Sequence, residues 1–124
     1  MICELVVYNI ESALKAQEGG ADRIELCDNP ADGGTTPSLG TVEVVRPNVS
    51  LDVYVMIRPR GGDFCYSSYE FHAMKRDIFH FQKAGVDGFR LDTYKHVESD
   101  FWLEHRKRTR EQLGSEFFLL AEYW

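Results

Sequence analysis

The sequence predicts an α/β fold in which strands and helices alternate from one end of the chain to the other. Short apolar runs of strand length alternate with segments of helical spacing, and polar, glycine-rich loops follow the second and third runs. Strands joined by helical crossovers lie parallel with right-handed connections. We therefore expect a partial TIM barrel, a (βα)4β half-barrel with parallel strands in sequential order, formed by all 124 residues as a single domain.

Each element follows from a local pattern. Gly19-Gly20 ends the first helix, Ser38 caps the second, and Pro47 lies just beyond that helix. The third strand is apolar on both sides, which suits a sheet covered on both faces. The predicted strands are 3–8, 23–27, 51–57, 86–91 and 116–122, and the predicted helices are 10–17, 38–45, 67–84 and 99–113.

Composition excludes several classes of function. A net charge of −6 argues against nucleic-acid binding, and the basic run at 106–110 alternates with glutamates, as a solvated helix face does. No apolar run approaches the length of a membrane span, and the first residues lack the pattern of a secretory signal. Three cysteines without a CxxC pair favour reduced thiols. We expect a cytoplasmic protein.

Four segments of the first two thirds of the chain resemble one family of barrels. They are Tyr-Asn-Ile-Glu-Ser-Ala at 8–13, Gly-Ala-Asp-Arg-Ile-Glu-Leu-Cys at 20–27, Gly-Gly-Thr-Thr-Pro-Ser at 33–38, and the run from Val55 to Ser67 that contains Arg-Pro-Arg-Gly-Gly-Asp. In this order they resemble the CutC copper homeostasis family, whose members are TIM barrels. The resemblance covers about residues 1–88.

The last third resembles a different family. Gly-Phe-Arg-Leu-Asp-Thr-Tyr-Lys-His at 88–96 looks like the fourth-strand motif of α-amylase-type glycoside hydrolases, and Phe-Leu-Leu-Ala-Glu-Tyr-Trp at 118–124 looks like the end of their fifth strand. This resemblance implies Asp92 as nucleophile, Glu122 as general acid/base and Arg90 as the residue that tunes the nucleophile. Adjacent strand ends could hold the two carboxylates about 5 Å apart, as a retaining glycosidase requires.

Together the two resemblances predict a hybrid. Residues 1–86 would be CutC-like and residues 87–124 α-amylase-like, joined at equivalent barrel positions. Because the later strands of the hydrolase barrel are missing, we expect no complete active site. The prediction is an engineered chimeric half-barrel, a structural protein rather than an enzyme. The alternatives are a vestigial α-amylase-type glycoside hydrolase and a CutC-like copper-binding module.

The copper alternative depends on two cysteines. Cys27 and Cys65 follow strands two and three, so both could face one rim, and soft thiolates suit Cu(I). Val6 stands where the CutC resemblance implies a cysteine. The competing interpretation is that these are inert thiols acting as small apolar residues, with no cofactor bound. Likewise, the loop with Arg58 and Arg60 could hold an anion or form internal salt bridges.

Half a barrel leaves one sheet face and two strand edges open. Depending on the direction of the pleat, that face would expose apolar residues such as Val55, Ile57, Phe89 and Leu119. A contiguous apolar surface drives association. We therefore expect a homodimer that forms through the open face or edges.

Overall fold

The computed structural model describes residues 1–92, the isolated positions 100, 103, 107 and 111, and residues 118–121 as backbone. The strands are β1 (Glu4–Val7), β2 (Arg23–Leu26), β3 (Asp52–Ile57), β4 (Gly88–Leu91) and β5 (Phe118–Ala121). The helices are α1 (Ile10–Glu18), α2 (Leu39–Asn48) and α3 (Ser68–Lys83), with a short 3₁₀ turn at Pro30–Asp32. The predicted helix 99–113 lies largely outside the described residues.

All five strands belong to one parallel sheet in the order β1-β2-β3-β4-β5. In register, Tyr54 of β3 lies beside Gly88 of β4, and Gly88 lies beside Phe118 of β5. Sequential parallel strands joined by right-handed crossovers place their helices on one side of the sheet. The predicted fold class, an α/β partial barrel, is therefore confirmed.

The helix-covered face of the sheet holds the hydrophobic core. Alternate residues of the strands point to this face, and they pack against apolar residues of the three described helices, such as Val42, Met74 and Phe81. The buried strand residues of this face are Val7, Ile24, Leu26, Val53, Val55, Ile57, Phe89 and Leu91.

The direction of the pleat corrects one prediction. Val55, Ile57 and Phe89 do not line an open face, because they are fully buried against the helices. Leu119 belongs to β5, of which the structure describes the backbone. The opposite, open face carries polar and charged side chains instead, among them Arg23 and Glu25.

The helix boundaries follow from their caps. The Asn9 side chain accepts a hydrogen bond from Ser12 N, and the Ser38 side chain accepts one from Thr41 N. The second helix, however, extends beyond the predicted end and includes Pro47 in its last turn. Pro47 has no N–H, so the last turn lacks one backbone hydrogen bond, and the Asn48 side-chain amide donates to the carbonyl of Val44. In the part of the chain that the structure describes, no helix is long and apolar enough to cross a membrane.

Candidate functional site

Charged and sulfur-containing side chains gather on the open face of the sheet, where strands β2 to β4 end. Glu25 and Cys27 are two residues apart at the end of β2, so the pleat directs both to this face. Arg58 follows β3, and Arg90 and Asp92 lie in and just after β4. The carboxyl ends of parallel strands are where barrel proteins carry their sites.

The Cys27 thiol is fully buried next to a carboxylate. Its Sγ lies 3.5 Å from Oε1 of Glu25, to which the thiol donates a hydrogen bond. Burial raises the pKa of the Cys27 thiol, and the negative charge of Glu25 raises it further. The thiol is therefore protonated at neutral pH, and a carboxylate oxygen lies within hydrogen-bonding distance of it.

The loop after β2 covers this thiol. Asp28 and Thr35 exchange backbone hydrogen bonds of 2.9 and 2.8 Å, which close the loop. Gly34 has a φ of +105°, and a Cβ placed on it would lie 3.2 Å from Sγ of Cys27 and 3.7 Å from Cε of Met56. Only glycine adopts this conformation readily, and its missing side chain lets the backbone approach the sulfur.

The Arg58 side chain forms hydrogen bonds with both the loop after β2 and the loop after β3. Its Nη1 donates to the carbonyls of Asp32 (2.6 Å) and Gly34 (3.1 Å), and its Nη2 donates to the carbonyl of Gly62 (3.2 Å). Its Nε lies 3.6 Å from Oδ2 of Asp92. Because the buried Arg58 side chain bonds to the carbonyls of Asp32 and Gly34, it holds the loop that covers Cys27 in position.

Of the residues predicted for glycoside hydrolysis, the structure describes Arg90 and Asp92. Asp92 forms an ion pair with Arg58, and Nη1 of Arg90 lies 3.9 Å from Oε2 of Glu25. Glu122, the predicted acid/base, lies outside the described residues. Asp92 and Glu25 thus each face an arginine on this rim.

The second predicted copper ligand, Cys65, is exposed in the loop after β3, whereas Cys27 is buried. That loop is held by Arg60, which forms ion pairs with Asp63 (3.1 Å) and Glu70 and lies 5.4 Å over the ring of Tyr66. The internal salt-bridge interpretation of this loop is confirmed for Arg60. Among the described residues, no group of three or more His, Cys, Asp and Glu side chains is placed to hold a metal ion.

Comparison with known proteins identifies the family. The profile of the CutC family matches residues 1–106 of the chain. The chain belongs to the CutC family. The human copper homeostasis protein cutC homolog is 53% identical over 87 residues, which are 70% of this chain and 32% of that protein. A CutC family protein of Erwinia tasmaniensis is 48% identical over 98 residues, 77% of this chain and 39% of the relative.

Solved structures agree with this assignment. The crystal structure of the copper homeostasis protein CutC from Streptococcus agalactiae superposes with a TM-score of 0.78 at 29% identity, over 98% of this chain and 59% of that one. A phosphonomutase-like structure from Burkholderia cenocepacia, at 17% identity and a TM-score of 0.67, covers 97% of this chain and 53% of that one and shares the fold alone. The chain spans about a third of the length of the curated relatives that it matches.

These findings change the interpretation of the last third of the chain. The family match extends to residue 106 and so includes the predicted junction at 86–87, and the CutC crystal structure superposes on nearly the whole chain. The comparisons give no support to an α-amylase-type segment or to a chimera. The motif at 88–96 is only nine residues long.

Sequence reasoning missed four residues that surround Cys27, namely Tyr8, Glu25, Gly34 and Met56. Glu25 had a detectable signal, since it is a charged residue within an apolar strand and shares the period-two face of Cys27. Burial raises the pKa of Tyr8, and the charges of Cys27 and Glu25 raise it further. Gly34 and Met56 come from a loop and a neighbouring strand, so the sequence offered no local signal for them.

Proposed function

We propose that this chain forms part of a CutC-type barrel that binds copper as Cu(I) at Cys27. The observation that carries the proposal is the fully buried thiol at the carboxyl end of β2, held against Glu25, in a member of the CutC family. A thiolate is a soft ligand and prefers Cu(I) to hard divalent ions. In this proposal copper is the ion that the protein binds as its substrate, not a permanently held cofactor.

Glu25 is a neighbouring group that can take the proton displaced when a metal binds the Cys27 thiol. A thiol must lose its proton before it binds a metal. The S–H bond of Cys27 breaks as its sulfur binds Cu(I), and the proton passes to the carboxylate of Glu25, whose Oε1 lies 3.5 Å from Sγ. Nη1 of Arg90 lies 3.9 Å from the other oxygen of Glu25 and forms an ion pair with it.

A competition titration tests this function. Under anaerobic, reducing conditions, the protein should withdraw Cu(I) from a chromogenic chelator with a stoichiometry of one ion per chain, and Cys27→Ser should abolish this withdrawal. Cys3→Ser, at an exposed cysteine near β1, is the matched control and should bind as the wild type does.

A third variant separates the two predicted cysteines. If Cys65 contributes a ligand, Cys65→Ser should weaken Cu(I) binding, whereas an exposed bystander leaves it unchanged. Equal Cu(I) affinity in the wild type and Cys27→Ser would overturn the proposed function.

A further inference from the structure

A second sulfur-containing side chain, that of Met56, lies beside Cys27 on the open face of the sheet. Leu26 of β2 pairs with Val55 of β3, and both point into the helix-covered core. The next residues along these strands, Cys27 and Met56, therefore both point to the open face. Neighbouring strands lie about 4.8 Å apart, so the two sulfur-bearing side chains stand next to each other.

The loop after β2 shows that both side chains end in the same small space. A Cβ on Gly34 would lie 3.2 Å from Sγ of Cys27 and 3.7 Å from the terminal methyl carbon of Met56. Both residues are buried: Cys27 is fully buried, and only 4% of the surface of Met56 is exposed. The thiol and the thioether are thus enclosed together beneath the backbone of Gly34.

This pair has the chemistry that Cu(I) selects. Thiolate and thioether sulfur are soft ligands that favour Cu(I) over divalent ions bound by oxygen or imidazole. In the described ranges no cluster of three or more His, Cys, Asp and Glu residues offers a competing site for a harder ion. Methionine also fills gaps in cores without binding anything, so a packing role is the alternative that an experiment must exclude.

We propose that Met56 is the second sulfur ligand of the copper site, so that Cu(I) lies between the thiolate of Cys27 and the thioether of Met56 under the cover of Gly34. This inference rests on the proposed function and goes beyond it by assigning a mixed two-sulfur site. The thioether binds through a lone pair and loses no proton, so Cys27 is the one ligand that gives up a proton when copper binds.

The test replaces the sulfur of Met56 while keeping its volume. Met56→Leu conserves the apolar packing, and Met74→Leu, in the core on the other face of the sheet, is the matched control. We expect Met56→Leu to lower Cu(I) affinity at least about tenfold. Mutating residues that only support metal ligands already lowers metal affinity by about 10 to 100 times. Met74→Leu should retain the wild-type affinity.

X-ray absorption provides a readout that packing alone would not change. In protein labelled with selenomethionine and loaded with Cu(I), we expect a copper–selenium scattering path. The path should persist in Met74→Leu and disappear in Met56→Leu. Circular dichroism of the unloaded variants checks that both are folded.

The outcomes distinguish this inference from the proposed function. If the wild type binds Cu(I) through Cys27 but Met56→Leu binds equally well and no copper–selenium path appears, Met56 is a packing residue and the inference is wrong while the proposed function stands. If Cys27→Ser also binds as the wild type does, the proposed function itself fails. Weakened binding in Met56→Leu together with loss of the selenium path supports the two-sulfur site.

Discussion

At the residue scale, Gly34 is the position where backbone conformation and the candidate site are most closely linked. Its φ of +105° is one that side chains rarely adopt, and its Cα faces the sulfur of Cys27. A glycine is therefore required for two reasons, the conformation of the loop and the close approach to the thiol. Arg58 reinforces both, since it holds the Gly34 carbonyl at 3.1 Å.

We expect Gly34→Ala to lower the free energy of unfolding by about 1 to 3 kcal/mol, the typical cost of a side chain forced into a sparsely populated backbone region. Urea denaturation measures this change. The control is Gly40→Ala in α2, where a Cβ would meet nothing nearer than Ser38 Oγ at 3.9 Å, and its stability should lie within about 1 kcal/mol of the wild type. Equal stability of the two variants would contradict the role assigned to Gly34.

At the scale of elements, the start of α3 is joined to the loop after β3 by a charged capping box. Ser67 Oγ accepts from Glu70 N at 3.2 Å, and Glu70 Oε2 accepts from Ser67 N at 2.7 Å. The Glu70 carboxylate also pairs with Arg60. The bond from Ser67 N and the pairing with Arg60 both hold the pKa of Glu70 below its usual value.

This lowered pKa predicts a pH dependence. A carboxyl group whose pKa is depressed in the folded state stabilises the fold above its unfolded pKa, and that contribution is lost as the pH falls through the folded value. We expect Glu70→Gln, which can still complete the capping box, to lower the thermal midpoint at pH 7. The difference from the wild type should shrink below about pH 4.

Thermal unfolding followed by circular dichroism at several pH values checks this expectation. Glu43→Gln, at an exposed glutamate of α2, is the control, and we expect little change at any pH. If the difference in thermal midpoint between Glu70→Gln and the wild type stays constant from pH 7 to about pH 3, the charge of Glu70 does not stabilise the fold.

At the scale of the whole molecule, the sheet leaves β1 at one edge. In the described part of the chain β1 pairs with β2 alone, and its residues Leu5 and Val6 are 44% and 51% exposed. Free edges with apolar side chains favour pairing with a further strand. The open face itself is more polar than the sequence suggested, so the edge is the stronger candidate for self-association.

We expect the 124-residue chain to form a homodimer through this edge, and Val6→Lys to convert it to a monomer, since a charge on an edge strand opposes pairing. Light scattering after size-exclusion chromatography measures the mass. Val44→Lys, on the exposed surface of α2, should leave the dimer intact. A wild-type mass of one chain at high micromolar concentration would count against an edge-mediated dimer.

The sequence by itself determined the order of strands and helices, the parallel sheet and the Ser38 cap of the second helix, because periods of two and 3.6 and capping side chains act between near neighbours. It also determined the family, through long ordered motifs such as residues 20–27 and 55–67. The short motif at 88–96 misled the interpretation, since nine residues at a strand end carry little information about descent.

Only the tertiary structure decided which side of the pleat faces the helices. That choice buries Val55 and Phe89 in the core and leaves Glu25, Cys27 and Met56 on the open face. The site combines one strand, its neighbour and a loop, and no local pattern reports which side chains of separate elements will meet. Their meeting depends on strand register and on the loop that Arg58 holds in place.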